Sequence, residues 1–229
     1  MDKPAFKAAF RVTIPVILGY LSIGLVFGLM LSGIGYPWWL AGIMSLTIYA
    51  GTGQYLAVEF FVQNTPLLQV AFMTFILNSR HMFYGLSLLD KFNLTGKLKS
   101  YMIFSLTDET YAIITSVDPP GKIDSAKFYF YIAIINQFSW IIGSLLGAVI
   151  GTLIPFNTAG IDFALTALFI VLMIEQMSSF KTKYPFIIGA SAGILALLLV
   201  GASNMLLLAV LLGASALLFL RRRIEADDR

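Results

Sequence analysis

The chain has no cysteine and a single histidine, His81. Without thiols it can form neither a disulfide framework nor a thiolate metal site, and one imidazole cannot build a polyhistidine centre. Charged side chains are also scarce, at 12% of 229 residues, whereas 59% of the residues are hydrophobic. Such a composition cannot cover the surface of a water-soluble domain. We therefore expect an integral membrane protein that uses no metal and no cofactor.

Most of the chain consists of long apolar runs that contain almost no lysine or arginine. Their lengths match the 17 to 25 residues that cross roughly 30 Å of hydrocarbon. Basic residues precede the first run but no small-residue cleavage site follows it, which favours an anchored helix over a signal peptide. We predict an all-α, polytopic membrane protein with six to eight membrane segments in one permease domain over residues 1–229. The runs cover residues 12–32, 37–62, 66–89, 100–117, 128–154, 162–180, 185–200 and 203–220.

Two of these runs have the composition of interrupted helices. The second contains YAGTGQY, Tyr49 to Tyr55, in which two glycines and a threonine weaken helix propensity and free backbone groups. The fourth, SYMIFSLTDETYAIITSV, is short for a span and has Asp108 and Glu109 at its centre. We predict a broken helix in the second run and either a re-entrant hairpin or an interrupted helix in the fourth.

The basic residues indicate the orientation. Lysine and arginine prefer the cytoplasmic side, which places both termini there and requires an even number of crossings. Eight plain crossings would put Lys91, Lys97 and Lys99 outside, whereas six crossings with two re-entrant segments return them to the cytoplasm. The sequence leaves both arrangements open. The residues on which the orientation rests are Lys3, Lys7, Arg11, Lys181, Lys183, Arg221, Arg222 and Arg223.

Glycine spacing suggests an internal repeat. A GxxxG pair at Gly24 and Gly28 is followed by Gln54, and at nearly the same distance the pair at Gly147 and Gly151 is followed by Gln176. Repeats with interrupted helices at matching positions form the central site of many secondary transporters. Repeat halves at about 12–99 and 128–220 are one interpretation. The other is chance spacing, with each GxxxG pair serving only close helix packing.

One basic residue lies deep in a span. Arg80, within FILNSRHMFYG, is too far from the nearest loop for its side chain to reach the interface, and a buried charge costs several kcal/mol unless it is paired. Asp108 or Glu109 is the expected partner. The pair is either part of a binding site or an ion pair that only locks two helices together.

The polar residues near Arg80 suit a zwitterionic solute. A guanidinium or free N–H groups hold a carboxylate, an acid holds an ammonium, and apolar side chains receive the remainder. We predict substrate binding at the second run, with contributions from the third and fourth, and proton coupling by groups that change protonation near neutral pH. His81 has a plainer interpretation as a neutral imidazole bonded to a carbonyl. The predicted substrate residues are Tyr49, Gly51, Thr52, Gly53, Gln54, Asn78, Arg80, Asp108 and Glu109, and the predicted proton-coupling residues are His81, Asp108 and Glu175.

Five blocks of sequence follow one another along the chain: PVILGY at 15–20, YAGTGQ at 49–54, NSRHMFYG at 78–85, LTDETYA at 106–112 and DFALTALFIVLMIEQ at 162–176. In this order they resemble the AzlC family, the large subunit of bacterial branched-chain amino acid exporters. The resemblance implies an inner-membrane permease that exports leucine, isoleucine and valine, with methionine as a further candidate, together with a small AzlD-type membrane subunit. A polar channel and an intramembrane enzyme stay open as alternatives, although bulky side chains oppose the first and the lack of GxSxG and HExxH motifs opposes the second.

Overall fold

A computed structural model describes residues 2–93, 95–153, 170, 173–174, 177, 183–201 and 205–227. Among these, the side chains of residues 80, 83, 86, 90, 97, 206, 207 and 221–227 lie outside the description. The described chain contains helices and no strand, in two compact units, Met1–Ile161 and Asp162–Arg229. The all-helical class predicted from the sequence is confirmed for this part of the chain.

The first unit contains nine α-helices and one 3₁₀ turn among its described residues. The helices are α1 Lys3–Gly33, α2 Trp38–Thr47, α3 Gly51–Gln63, α4 Leu67–Asn78, α5 Arg80–Ser87, α6 Leu89–Asn93, α7 Lys99–Phe104, α8 Asp108–Ser116 and α9 Ser125–Leu153, with the 3₁₀ turn at Gly96–Leu98.

The long helices α1 and α9 are the axis of this unit, and each is long and apolar enough to cross a membrane. They run in the same direction. Asp2 and Lys127 form an ion pair of 3.2 Å at one end, the amino end of the pair, while Gly151 packs on Ser32 at the other, the carboxyl end. Aspartates cap both helices, because the side chain of Asp2 accepts from the N–H of Ala5 and Asp124 caps the start of α9.

Glycines bring α1 and α9 into backbone contact. A Cβ on Gly28 would overlap the backbone carbonyl oxygen of Ser144, and a Cβ on Gly147 would overlap that of Leu25. A Cβ on Gly24 would lie 3.0 Å from the carbonyl oxygen of Trp140. Both predicted GxxxG pairs therefore serve close packing, and they do so against each other.

Helices α2 and α3 form a hairpin that begins and ends at the carboxyl end of the axis. Near its start, Gly42 packs on Leu145 of α9. Its tip, residues 48–50, reaches the middle of α1. It then returns, so that the ring of Phe61 lies 4.8 Å from that of Tyr36, just beyond the end of α1.

Helices α7 and α8 form a second hairpin, which begins and ends at the amino end. Met102 of α7 and Ile114 of α8 belong to one buried cluster with Ala9 and Phe128, close to the start of α1 and α9. Its tip, residues 105–107, reaches the middle of α1 from this side. The fourth run is thus a hairpin, and the prediction that it is re-entrant in the membrane stays a prediction.

The segment α4–α6 connects the two ends of the axis. It leaves the first hairpin at Asn64 and reaches the amino-end cluster at Phe92. The sequence predicted one span over residues 66–89, whereas the structure shows an interruption at Ser79. The Ser79 hydroxyl donates to the Ile76 carbonyl at 2.7 Å and thereby replaces part of the local helical bonding.

The second unit is described over two helices, α10 Tyr184–Val200 and α11 Met205–Asp227. They pack on each other, and a Cβ on Gly213 would make ordinary contact with Ala192 at 3.7 Å. Pro185 lies in the first turn of α10, where its missing N–H costs no hydrogen bond. The predicted run over residues 162–180 lies almost wholly outside the described residues.

Candidate functional site

The tip of the first hairpin is the break predicted in YAGTGQY. The helix stops at Thr47 and restarts at Gly51, so the break lies just before the glycines rather than at them. Tyr49 has a φ of 42°, a left-handed conformation that costs a bulky residue roughly 1–3 kcal/mol. Strain of this size at a buried residue points to a role that the surrounding fold supports.

The break exposes the amino end of α3. Its first intrahelical bond runs from the N–H of Gln54 to the carbonyl of Ala50 at 2.7 Å, and no side chain caps the helix. The N–H groups of Gly51, Thr52 and Gly53 precede that bond and therefore have no partner within the helix. Such groups, together with the helix dipole, favour an anion.

Gln54 holds this tip against α9. Its side chain is fully buried, its Nε2 donates to the Ser45 hydroxyl at 3.1 Å, and its Oε1 accepts from the indole of Trp140 at 2.9 Å. Both ends of the amide are thus engaged inside the protein. The sequence predicted Gln54 as a substrate ligand, and the structure gives it a positioning contact.

The tip of the second hairpin carries the two acids. Thr107 caps α8 by accepting from the N–H of Thr110 at 3.2 Å, which places Asp108 and Glu109 in the first turn. Carboxylates are favourable there because the helix dipole is positive at this end. Asp108 is half-buried, whereas Glu109 is exposed. The acids therefore lie at the end of a short helix, in the middle of the α1–α9 axis.

A row of polar side chains links the second tip to both axis helices. The hydroxyl of Tyr20 in α1 lies 2.6 Å from Glu109 Oε2 and 2.6 Å from Thr107 Oγ1. Thr107 donates to Thr110 Oγ1 at 3.0 Å, and Asn136 Nδ2 in α9 donates to the same oxygen at 3.0 Å. Glu109 is thereby connected to α9 through four neutral side chains.

Two buried polar atoms beside this row are poorly satisfied. The hydroxyl of Tyr49 lies against the side chains of Tyr20 and Thr110 without a well-directed hydrogen bond, and Oδ1 of Asn136 has no partner among the described residues. Native proteins rarely leave buried polar atoms unsatisfied, so such atoms mark places where a group moves or a ligand binds. Tyr49 also brings the first tip to the second.

The predicted residues of the third run lie on either side of Ser79. Asn78 ends α4 and is half-buried, and the ring of His81 packs edge-on against Tyr84 at 5.7 Å. Tyr84 in turn stacks on Tyr111 of α8 at 4.4 Å, which links α5 to the second hairpin. The side chain of Arg80 lies outside the description, so its pairing with Asp108 or Glu109 stays a prediction.

Two further predicted positions, Glu175 and Gln176, also lie outside the described residues. Within the described part of the chain no group of three or more histidine, aspartate or glutamate side chains could hold a metal ion. The polar groups that the structure describes at the two tips are carboxylates, hydroxyls, amides and helix ends.

Sequence reasoning missed most of the polar row. Tyr20, Thr107, Thr110 and Asn136 were not predicted, although two signals were present. Asn136 and Gln137 are adjacent polar residues in the middle of the apolar fifth run. Thr107 precedes two acids, a common start of a helix. Tyr20 could not be singled out from the sequence, because tyrosines are common in and near apolar spans of membrane proteins.

Comparison with known proteins agrees with the membrane assignment. A transport protein of Bacillus subtilis, named as the branched-chain amino acid transport protein AzlC, is 36% identical over 85% of this chain and 77% of its own length. A membrane protein of Helicobacter pylori is 37% identical over 85% of this chain and 94% of its own, and the inner membrane protein YgaZ of Escherichia coli is 26% identical over 82% and 81%. No solved structure matches the chain.

The family assignment follows from two findings. The family described as AzlC protein matches residues 15–154, which include α9, both hairpins and α1 from Pro15 onward. The Bacillus relative is more than a third identical over the aligned residues, which make up most of both chains. The chain therefore belongs to the AzlC family of membrane transport proteins.

Proposed function

We propose that this protein exports branched-chain and similar apolar amino acids across the bacterial inner membrane, with both termini in the cytoplasm. Its cargo is leucine, isoleucine and valine, with methionine as a further candidate. Export is coupled to protons or another ion and uses a small AzlD-type membrane subunit. The proposal combines the name of the Bacillus relative with one observation, the meeting of two hairpin tips at the middle of the α1–α9 axis.

The tips offer complementary charges to a zwitterion. The uncapped start of α3, with the Thr52 hydroxyl in the same turn, suits the carboxylate of an amino acid. Asp108 and Glu109 at the start of α8 suit its ammonium group. The strained Tyr49 between them can donate its hydroxyl, which makes no well-directed hydrogen bond within the described protein, to the carboxylate. Arg80 and Asn78 complete the predicted set.

The arrangement also favours a carrier over an open pore. Hairpins from opposite ends of the axis meet at the middle of the α1–α9 axis, and bulky side chains such as Phe27, Tyr55 and Trp140 pack around the first tip. Transport of the solute then requires movement of a tip. A carrier works against a gradient, and an uncoupler stops it.

Export is tested in cells that lack this chain. Fed with leucine-containing dipeptides, they are expected to accumulate leucine, and the accumulation should disappear when the parental chain is restored. The matched variants are Glu109→Gln, which should not restore export, and Glu59→Gln on α3, which should. Equal intracellular leucine with and without the chain would contradict export.

The partner is tested by reconstitution. The purified chain is placed in proteoliposomes with and without a candidate small subunit, and leucine exchange is measured. We expect activity only with both chains present. Full exchange by this chain alone would show that it needs no partner and would leave the substrate assignment standing.

A further inference from the structure

We infer that Glu109 is the proton-binding group of this carrier, and that the row Tyr20–Thr107–Thr110–Asn136 transmits its charge state to α9. The inference rests on the proposed function for the nature of the cargo. It adds a site for the coupling ion and assigns roles to four residues that contact the acid or each other.

The Tyr20 hydroxyl is the branching point of the row. It has one hydrogen to donate and two oxygens within 2.6 Å, one on Glu109 and one on Thr107. When Glu109 is ionised it can only accept, so Tyr20 donates to it. The bond from a hydroxyl to a carboxylate is charge-assisted and therefore strong, so the O–H of Tyr20 stays directed at Glu109.

A proton on Glu109 reverses the direction of this bond. The protonated carboxyl donates to the oxygen of Tyr20, which frees the Tyr20 hydrogen for Thr107. While Glu109 is ionised, the oxygen of Tyr20 can accept the hydrogen of Thr107. Once Glu109 is protonated, Thr107 accepts from Tyr20 and from the N–H of Thr110, so its own hydrogen turns to Thr110 Oγ1. One proton thus changes which groups donate along the row, and no heavy atom has to move far.

The far end of the row is where this change has an effect. While Glu109 is ionised, Thr110 Oγ1 accepts from Asn136, and once Glu109 is protonated it accepts from Thr107 as well, so its own hydrogen is directed away from both. Next to it lie the Tyr49 hydroxyl, which makes no well-directed hydrogen bond, and Asn136 Oδ1, which has no partner among the described residues. Both belong to elements that meet at the hairpin tips. A change in the bonding of Thr110 therefore acts on the strained tip of the first hairpin.

The surroundings of Glu109 allow it to take up a proton. Its carboxylate is exposed, and among the described side chains it forms no ion pair. The titratable groups that face it are Tyr20 from α1 and Tyr49 from the first tip, with Asp108 beside it on α8. The structure describes no lysine or arginine side chain against it. A proton or a cationic ligand can balance its charge.

Proton and substrate compete for the same carboxylate. The ammonium group of an amino acid binds the ionised acid, and its arrival on a protonated Glu109 releases that proton to solution. Conversely, a proton that arrives on the loaded acid weakens the hold on the ammonium. Such competition produces an exchange of proton for amino acid, in which proton entry accompanies amino acid exit.

The first experiment measures protons directly. Leucine is added to the purified full-length protein in weakly buffered detergent solution, together with its small subunit if reconstitution requires one, and a pH-sensitive dye records the release. We expect up to about one proton per bound leucine, rising as the pH falls. Glu109→Asp should retain release, and Glu59→Gln should match the parent. Leucine binding without proton release overturns the inference and leaves the transport function intact.

The second experiment tests the row with matched variants. Tyr20→Phe removes the donor that stabilises ionised Glu109. The pH at which half of the leucine binding is lost is therefore expected to be about one unit higher than in the parent. Tyr55→Phe is the control, because Tyr55 is equally buried and its hydroxyl bonds the Ile23 carbonyl of the same helix α1. An unchanged pH profile in Tyr20→Phe contradicts the role of Tyr20.

Thr110→Val cuts the row between Glu109 and α9. In proteoliposomes it should keep leucine-for-leucine exchange. The rate of transport driven by a pH gradient should fall by at least about tenfold. Thr115→Val on the same helix is the control, since its hydroxyl bonds only its own helix. Parental gradient-driven transport by Thr110→Val overturns transmission through the row. Absence of binding of any apolar amino acid by the parent would instead overturn the proposed function.

Discussion

The hydroxyl of Tyr55 on α3 donates to the backbone carbonyl of Ile23 on α1, in the half of the axis from which the first hairpin comes. This contact fixes the returning arm of the hairpin to the axis on the same side as its point of entry. On the opposite side, Lys91 of α6 holds the end of the second hairpin in a similar way. Its ammonium donates to the Ile114 carbonyl at 2.8 Å and to Asp118 at 3.1 Å, where the second hairpin ends. The two hairpins are thus tied at opposite ends of the axis.

This arrangement predicts which positions share a membrane face. The chain has no cysteine, so single cysteines can be introduced directly. Ser100→Cys and Ser116→Cys, at the two ends of the second hairpin, should react with a membrane-impermeant maleimide from the cytoplasmic side, because both lie at the amino end of α1. Gln63→Cys should react from the other side. Labelling of Ser100→Cys and Ser116→Cys from opposite faces would contradict a hairpin.

The glycine contact of the axis predicts a strong effect of one methyl group. Gly28→Ala places a Cβ on the backbone of Ser144 and should lower the free energy of unfolding by about 1–3 kcal/mol, as overpacking does. Gly19→Ala in the same helix is the control, because its Cβ would meet nothing within 4 Å. It should be neutral or slightly stabilising. Thermal or denaturant unfolding in detergent measures both, and equal effects would contradict the tight contact.

We predict that Gln54 contributes more to the stability of the protein than to substrate binding. Gln54→Leu leaves the indole N–H of Trp140 and the Ser45 hydroxyl buried without partners, each at a cost of about 1–3 kcal/mol. Gln63→Leu, in the exposed last turn of α3, should cost little. If the paired change Gln54→Leu with Trp140→Phe is less destabilising than the sum of its parts, the coupling is direct. Strict additivity would show that the bond contributes nothing.

Tyr49→Phe should separate function from stability. The substitution keeps the buried ring and removes a hydroxyl that makes no well-directed hydrogen bond among the described residues, so stability should change by no more than about 1 kcal/mol. Transport should fall by about tenfold, the effect of one lost hydrogen bond to the carboxylate of the cargo. Unfolding and leucine exchange are measured on the same preparation. Parental exchange would remove Tyr49 from the binding site.

The role of Arg80 is decided by removing both charges of its predicted pair. A pair that only locks two helices tolerates Arg80→Gln combined with Asp108→Asn, because no buried charge is left uncompensated. A binding pair does not, and the double variant should then lose leucine export at normal membrane abundance. Arg80→Lys keeps the charge but not the planar guanidinium, and serves as the intermediate case. Export at the parental rate by the double variant would favour the lock.

The class of the protein, its breaks and its acids could be predicted from the sequence because each depends on local composition. Two glycines weaken a helix wherever they occur, and carboxylates in an apolar run are visible without a structure. The position of the first break was missed by a few residues. Tyr49, rather than a glycine, takes the left-handed conformation, since the cost is offset by burial of its ring at 4% exposure.

The contacts between distant elements could not be predicted in the same way. Tyr20 and Glu109 are 89 positions apart, and nothing in their local sequences records that α1 and α8 meet. The same holds for the bond between the amide of Gln54 and Trp140 of α9, whose positions are 86 apart. A polar residue in an apolar run indicates that its side chain needs a hydrogen-bond partner. Whether that partner is protein or solute depends on how the helices pack.

The opposite entry of the two hairpins also has a consequence for the proposed export. If the tips move, we expect withdrawal of the α2–α3 tip to free the middle of the α1–α9 axis toward its carboxyl end, and withdrawal of the α7–α8 tip to free it toward its amino end. Either movement leaves the close glycine contacts between α1 and α9 in place.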